Sequence, residues 1–167
     1  MVGKKLNKEK HSATIKARRN TLPNLLWCLV VYTIALLVLI SCGHHPQHQD
    51  SEFLSLIKKF ETLSKKSAIY IGMEFVEGFE GAKVGECSTG DKKIRISRRF
   101  WEYSSDIQRE FLIFHELGHC LLLRHDHTNE TYENVYNCPK SIMNAYISTD
   151  FCYELYEEEL YNELFNN

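Results

Sequence analysis

The sequence has little proline, little glycine and almost no net charge. Among its 167 residues there are 3 Pro and 8 Gly, and 20 Lys+Arg against 22 Asp+Glu leave a formal charge of −2. This composition, with 44% hydrophobic and 25% charged residues, excludes a collagen-like or largely disordered chain. The longest charge-free apolar run has 16 residues, fewer than the roughly 20 that a membrane-spanning helix needs. No internal repeat is visible, so the composition indicates one globular domain.

The charge is distributed unevenly along the chain. Residues 1–24 carry a net charge of +6 and the remainder carries −8. An acidic domain repels the phosphates of nucleic acids at long range. We therefore expect no nucleic-acid partner, and we expect the basic N-terminal segment to face a membrane.

The apolar run at residues 25–40 follows this basic segment directly. Its length and its flanking charge are typical of a signal peptide, and the Lys/Arg cluster keeps the N-terminal side in the cytoplasm. Leu39-Ile40-Ser41-Cys42 resembles the lipobox of bacterial lipoprotein signals. The resemblance implies a signal peptide at 1–41, acylation of Cys42, and a domain tethered by lipid to the bacterial cell envelope, facing the periplasm or the exterior. The alternative is an uncleaved signal anchor in which Cys42 has no role.

The six cysteines fall into two groups, and two of them, Cys28 and Cys42, belong to the leader. The other four lie in a domain that we expect to be exported, where disulfides persist. Four cysteines allow three pairings, and the sequence alone does not select one of them. We slightly favour the pairs Cys87 with Cys120 and Cys138 with Cys152.

Residues 42–52 are mostly polar, and we interpret them as a linker, which leaves residues 53–167 as the folded domain. Apolar spacing predicts a first helix from Phe53 to Leu63. Two strands are predicted over 68–75 and 93–97, and a shorter one near 82–86.

A central helix is predicted next, because Ser105 followed by Gln108 is a capping-box pattern and an apolar stripe follows it. About 20 irregular residues then extend through Ser141, and a last acidic helix is predicted from Tyr153 to Phe165. Helices that are segregated from a small group of strands indicate an α+β domain.

The central helix contains the sequence His115-Glu116-Leu117-Gly118-His119. Residues four apart lie on one face of a helix, so the two imidazoles can bind the same metal ion. Glu116 lies next to the first ligand and can accept the proton of a water that the metal activates. Two histidines leave the site incomplete, and His125, six residues after His119, is a candidate for the third ligand.

The pattern His115-Glu116-x-x-His119-x-x-Leu122-x-x-His125, followed by Ser141-Ile142-Met143, resembles the metzincin clan of zinc endopeptidases. The resemblance implies one catalytic Zn²⁺ bound by the three histidines, Glu116 as the general base, and Met143 as the Met-turn residue beneath the metal. It also implies a small zincin-like domain with a mixed sheet, a central active-site helix and a C-terminal helix, acting on a protein or peptide.

This chain departs from the metzincin pattern at Leu122, where the family has Gly. Glycine there allows the positive-φ turn that releases the third histidine from the helix, and a turn displaced by one residue would favour His127 instead. We prefer His125 and keep His127 as the rival ligand and Asp126 as a more distant candidate. A further alternative takes the third ligand from a glutamate of the C-terminal helix, within Glu154 to Glu159.

The sequence therefore predicts a zinc-dependent endopeptidase tethered to the cell envelope. The alternative from another class is a non-catalytic envelope lipoprotein, in which zinc and disulfides only stabilise a small domain.

Overall fold

The structure, a computed structural model, describes residues 27–34 and 46–166. The chain divides between His44 and His45 into two units, which are considered separately. In the first unit residues 27–34 are helical. The predicted acylation site Cys42 lies outside the described residues, as does the predicted signal peptide apart from residues 27–34. Over the two described ranges, no helix combines the length and the apolar character needed to cross a membrane.

The second unit is an α+β domain with five α-helices and one three-stranded sheet among its described residues. In chain order, its elements are a 3₁₀ turn at Ser51–Phe53, α1 (Leu54–Ser64), β1 (Gly72–Val76), β2 (Gly85–Ser88), β3 (Lys93–Ser97), α2 (Arg98–Tyr103), α3 (Asp106–Cys120), α4 (Asp150–Leu155) and α5 (Glu157–Asn166).

The sheet is mixed and has the order β1-β3-β2. β3 pairs with β1 in parallel and with β2 in antiparallel orientation. Ile94 and Ile96 of β3 are fully buried, while Arg95 between them points to the other face and forms ion pairs with Glu74 and Glu86. This alternation buries one face of the sheet. The strand order places β2 at one edge of the sheet.

Helix α3 lies at the centre of the domain. Ser105 and Gln108 form the predicted capping box at its start, so two backbone amides that the helix leaves unpaired are satisfied. The helix packs against β2 and β3 and against α1 and α4. Phe114 makes edge-to-face contacts with Phe60 of α1 and Phe165 of α5. These contacts fix the helix that carries the His-Glu-x-x-His sequence.

Part of the predicted linker at 42–52 belongs to the folded domain. Gln49 forms a parallel bridge with Met73, and its side-chain amide donates to the carbonyls of Ala68 and Ile71. The polar composition suggested a solvated tether, but these polar groups satisfy the free edge of β1 instead.

The remaining boundaries agree with the predictions in part. The strand predicted over 68–75 begins later, at Gly72, and the short strand is Gly85–Ser88 rather than 82–86. The C-terminal helix is two helices, because the backbone leaves the helical region at Tyr156 (φ −124°, ψ 23°). Helix α2 was not predicted.

Two disulfide bonds link the predicted pairs, Cys87 with Cys120 and Cys138 with Cys152. The first joins the edge strand β2 to the last residue of α3. The second joins the segment between α3 and α4 to α4 itself. Both pairings that we favoured are therefore confirmed.

Candidate metal centre

Three histidine side chains converge at the C-terminal half of α3. The Nε2 atoms of His115 and His119 lie 3.1 Å apart, and that of His127 lies 3.1 Å from the first and 3.0 Å from the second. The two helical histidines meet because they are one turn apart on one face. Among the described residues these three form the one group of His, Cys, Asp and Glu that can hold a metal ion.

The third histidine of this group is His127 and not His125. The side chain of His125 is exposed and lines the adjoining cleft, but it does not belong to the three-histidine group. The preference for His125 is therefore corrected in favour of its rival.

The reason lies in the turn that follows the helix. Leu123 has a φ of +60°, so the left-handed turn falls one residue after Leu122, the position at which the metzincin pattern has Gly. The amide of Arg124 then donates to the carbonyl of Gly118 (3.1 Å), and the chain folds back over the helix end. The displacement brings the later histidine, His127, to the site.

Backbone carbonyl groups fix the orientation of the two helical imidazoles. The Nδ1–H of His115 donates to the carbonyl oxygen of Ile142 (2.8 Å), and that of His119 donates to the carbonyl oxygen of Arg124. A carbonyl only accepts, so both Nδ1 atoms carry the hydrogen, and in a neutral ring Nε2 then presents a lone pair. The two lone pairs face each other at 3.1 Å.

Burial keeps the two rings neutral. It lowers the pKa of His115 to about 4, and it also lowers the pKa of His119, because a charged imidazolium loses its hydration inside the protein. A proton on Nε2 of His127 can satisfy one of the two facing lone pairs but not both. This arrangement is unfavourable for bare imidazoles and is the one that a cation stabilises.

A divalent metal ion fits the three nitrogens. A triangle with sides of 3.0–3.1 Å accommodates one ion at about 2.0–2.1 Å from every corner, the usual Zn–N bond length. Imidazole ligands suit Zn²⁺, and neutral histidines held by backbone carbonyls are typical of metal ligands. The three residues can therefore hold a metal ion without rearranging.

Glu116 is adjacent to His115 in sequence and lines the same cleft as the three histidines. Its side chain is buried, and burial raises the pKa of its carboxyl group to about 8, with a small lowering effect from Lys83. A nearby divalent cation opposes this shift by favouring the carboxylate. The environment therefore suits a group that takes up and releases a proton near neutral pH.

Gly85 of β2 approaches the Glu116 carboxylate closely. A Cβ atom at this position would stand 2.7 Å from Oε1 of Glu116 and 2.9 Å from Cδ1 of Leu112. Gly85 was not predicted as part of the site, although an isolated glycine in a strand is a known signal of close backbone approach. Its missing side chain lets the edge strand lie directly over the face of α3 that carries Glu116.

Met143 packs against α3 at Gly118. It is fully buried, and its Sδ atom contacts Gly118 so closely that a Cβ there would stand 2.5 Å away. The carbonyl of Met143 accepts from the amide of Thr128 (3.0 Å), which follows His127. Met143 thus supports the loop that carries the third histidine, and its assignment as a Met-turn residue stays a prediction.

The site opens into a cleft of about 600 Å³. One wall of the cleft is formed by residues of β2 and the loop before it, and other parts of the lining come from α3 and from residues after Met143. The lining residues are Ala82, Lys83, Val84, Gly85, Glu86, Cys87, Thr89, Phe111, Leu112, His115, Glu116, His119, His125, His127, Asn144, Ala145, Tyr146 and Ile147.

Several weaker candidates do not join the metal group. Asp126 is exposed and lies outside it, and so do the glutamates within Glu154 to Glu159. Cys120 is disulfide-bonded and does not act as a ligand. Compared with protein-family models, with curated proteins and with solved structures, the chain has no match.

Proposed function

We propose that this chain is a zinc-dependent endopeptidase whose exported domain is tethered by lipid to a bacterial cell envelope. The observation that carries the enzymatic part is the convergence of three imidazole nitrogens, which form a triangle with sides of 3.0–3.1 Å, next to the buried carboxyl of Glu116. The tether rests on the sequence of the leader alone.

His115, His119 and His127 are the residues that hold the ion. When bound, zinc supplies Lewis acidity, which polarises the scissile carbonyl and lowers the pKa of water. Three protein ligands facing an open cleft are the pattern of catalytic zinc sites, whereas structural sites are closed by four protein ligands. This contrast favours a catalytic role over the non-catalytic lipoprotein.

Glu116 is the general base in this proposal. Its carboxylate takes a proton from the attacking water as the new C–O bond forms, and it delivers that proton to the amine nitrogen as the peptide C–N bond breaks. Burial raises the pKa of this carboxyl group, and a bound cation would lower it again and so favour the carboxylate form that a base needs.

The edge strand β2 provides a place for an extended peptide. β3 occupies one edge of β2, and the other edge borders the cleft. A peptide that pairs with this edge would cross the face of α3 that carries Glu116 and the histidines. The two charged side chains of this wall, Lys83 and Glu86, form an ion pair with each other (2.9 Å), so the wall presents little net charge to a substrate.

The test compares the wild type with Glu116→Gln, a substitution of the same shape that cannot act as a base. We expect the variant to retain zinc, measured by elemental analysis, and to lose cleavage of a peptide library followed by mass spectrometry, by at least about 100-fold. Glu102→Gln, an exposed position, is the matched control and should cleave like the wild type.

Two results would contradict the proposal. Unchanged cleavage by Glu116→Gln removes the assigned mechanism. A zinc-loaded wild type that cuts no peptide, and that unfolds when the metal is chelated, supports the non-catalytic alternative.

A further inference from the structure

The two carbonyl groups that orient the helical histidines lie in separate segments of the chain. Arg124 precedes His127 in the turn after α3, and Ile142 lies in the segment before α4. Neither segment contains regular secondary structure. A loop carbonyl holds an imidazole firmly only if the loop itself is held, so the question is what fixes these two segments.

Glu163 of α5 contacts both of them. Its Oε1 atom accepts a hydrogen bond from Nη2 of Arg124, and its backbone carbonyl accepts from Nη1 of the same side chain (3.0 Å). Its Oε2 atom accepts from the hydroxyl of Ser141 (2.5 Å). One carboxylate thus contacts both Arg124 and Ser141, which precede Glu163 in the sequence by 39 and 22 positions.

Each contact lies next to a carbonyl that orients a ligand. Arg124 uses its side chain for Glu163 and its carbonyl for His119. The Ser141 hydroxyl also accepts from the amide of Met143 (2.9 Å), and these two residues flank Ile142, whose carbonyl holds His115.

The bonds to Glu163 are strong because they are charge-assisted and partly shielded. The side chains of Arg124 and Glu163 are 26% and 23% exposed, and an ionised partner roughly doubles the strength of a hydrogen bond. Leu160 and Leu164 on either side of Glu163 are buried in the core, which fixes the helix that presents the carboxylate.

We infer that Glu163 is a positioning residue of the metal centre. It holds the two loops that orient His115 and His119, and it does so from a helix that contributes no metal ligand. This inference rests on the proposed metal site, but it does not depend on peptide cleavage. Its role is distinct from that of a glutamate ligand, because its carboxylate is engaged by Arg124 and Ser141.

The test measures zinc affinity by chelator competition in the full chain. We expect Glu163→Ala and Arg124→Ala each to weaken zinc binding about tenfold. Loss of a group that supports a metal ligand typically weakens metal affinity by about 10–100-fold, and we expect the lower end of that range. The Arg124→Ala variant keeps the carbonyl that faces His119. The double variant should lose less zinc affinity than the two single losses combined, because both substitutions remove the same ion pair between Arg124 and Glu163.

Two controls separate positioning from general loss of stability. Glu158→Ala removes an exposed carboxylate from the same helix and should leave zinc affinity unchanged. Leu160→Val removes a buried methylene and should lower the melting temperature of the metal-free protein without changing zinc affinity. In the metal-free wild type, NMR should show a hydrogen-bonded Nδ1–H of His119, and this signal should be lost in Glu163→Ala.

Unchanged zinc affinity in Glu163→Ala and Arg124→Ala overturns the inference, and so does an equal loss in Leu160→Val. A wild type that binds no zinc overturns it together with the proposed function. A wild type that binds zinc and cleaves no peptide contradicts the peptidase proposal alone, and the affinity comparison still decides the role of Glu163.

Discussion

Gly85 and Glu116 lie so close that no side chain fits between them. The first belongs to the edge strand and the second to the central helix, and a Cβ at position 85 would stand 2.7 Å from the carboxylate oxygen. The absence of a side chain therefore sets how closely the cleft wall approaches the proposed base.

Gly85→Ala should reduce both cleavage and stability. The atoms that the new methyl group meets belong to the ends of two flexible side chains, Glu116 and Leu112, so the fold can adjust while the carboxylate moves. A base displaced by about 1 Å can cost on the order of 100-fold in rate. We expect kcat/KM to fall by about that factor, with a loss of about 1–3 kcal/mol in the free energy of unfolding.

The matched control is Gly90→Ala, in the turn between β2 and β3, where a Cβ meets nothing within 4 Å. Its kinetics should equal those of the wild type. If Gly85→Ala cleaves peptides as well as this control does, the close approach has no part in positioning Glu116.

His127→Ala should lose tight zinc binding, whereas His125→Ala should retain it. The Nε2 of His127 lies 3.0–3.1 Å from those of the other two histidines, so its removal deletes a ligand. We expect an affinity loss greater than the roughly 10–100-fold that follows loss of a supporting group. Zinc content after dialysis measures the effect, and equal loss in the two variants would show that the turn brings both residues to the metal.

The choice between these two histidines shows where sequence reasoning reaches its limit. The start of α3 is encoded locally by Ser105 and Gln108, and the pair His115 and His119 follows from helical spacing, so all of these could be predicted. Which histidine joins this pair depends on which residue of the following turn adopts positive φ. A leucine, Leu123, adopts it, and no propensity points to leucine in that conformation.

Other features lacked a local signal for a different reason. The groups that orient the imidazoles are backbone carbonyls of Arg124 and Ile142, and every residue has such a group. The contact of Glu163 with Arg124 spans 39 residues and depends on tertiary packing. The break at Tyr156 likewise interrupts a continuous acidic pattern that resembles one helix.

Removing the Cys87–Cys120 disulfide should impair the site as well as the stability of the domain. The bond closes a loop of 33 residues, for which chain entropy gives a stabilisation of about 3–4 kcal/mol. It also ties the four-residue edge strand β2 to the end of the helix that carries His115 and His119. We expect Cys87→Ala with Cys120→Ala to lower both the melting temperature and kcat/KM.

The control pair is Cys138→Ala with Cys152→Ala, which opens a shorter loop of 14 residues and leaves β2 attached to α3. Chain entropy predicts a comparable loss of about 3 kcal/mol. Measured at a temperature where both variants are folded, activity should fall further when the first bond is removed. Equal activity losses would mean that β2 is held adequately by β3 alone.

Gly118 and Met143 should show strong coupling in a double-mutant cycle. A Cβ at position 118 would stand 2.5 Å from the sulfur of Met143, so Gly118→Ala overpacks the core. This should lower the free energy of unfolding by about 1–3 kcal/mol. The better helix propensity of alanine offsets about 1 kcal/mol of that loss. Met143→Ala leaves a cavity in the same place and should cost about 2–5 kcal/mol. In the double variant the new methyl group occupies part of that cavity. Denaturant unfolding should therefore show that the double variant loses less stability than the two single variants lose in total, by at least about 0.5 kcal/mol. Simple additivity of the two losses would contradict the close contact between Gly118 and Met143.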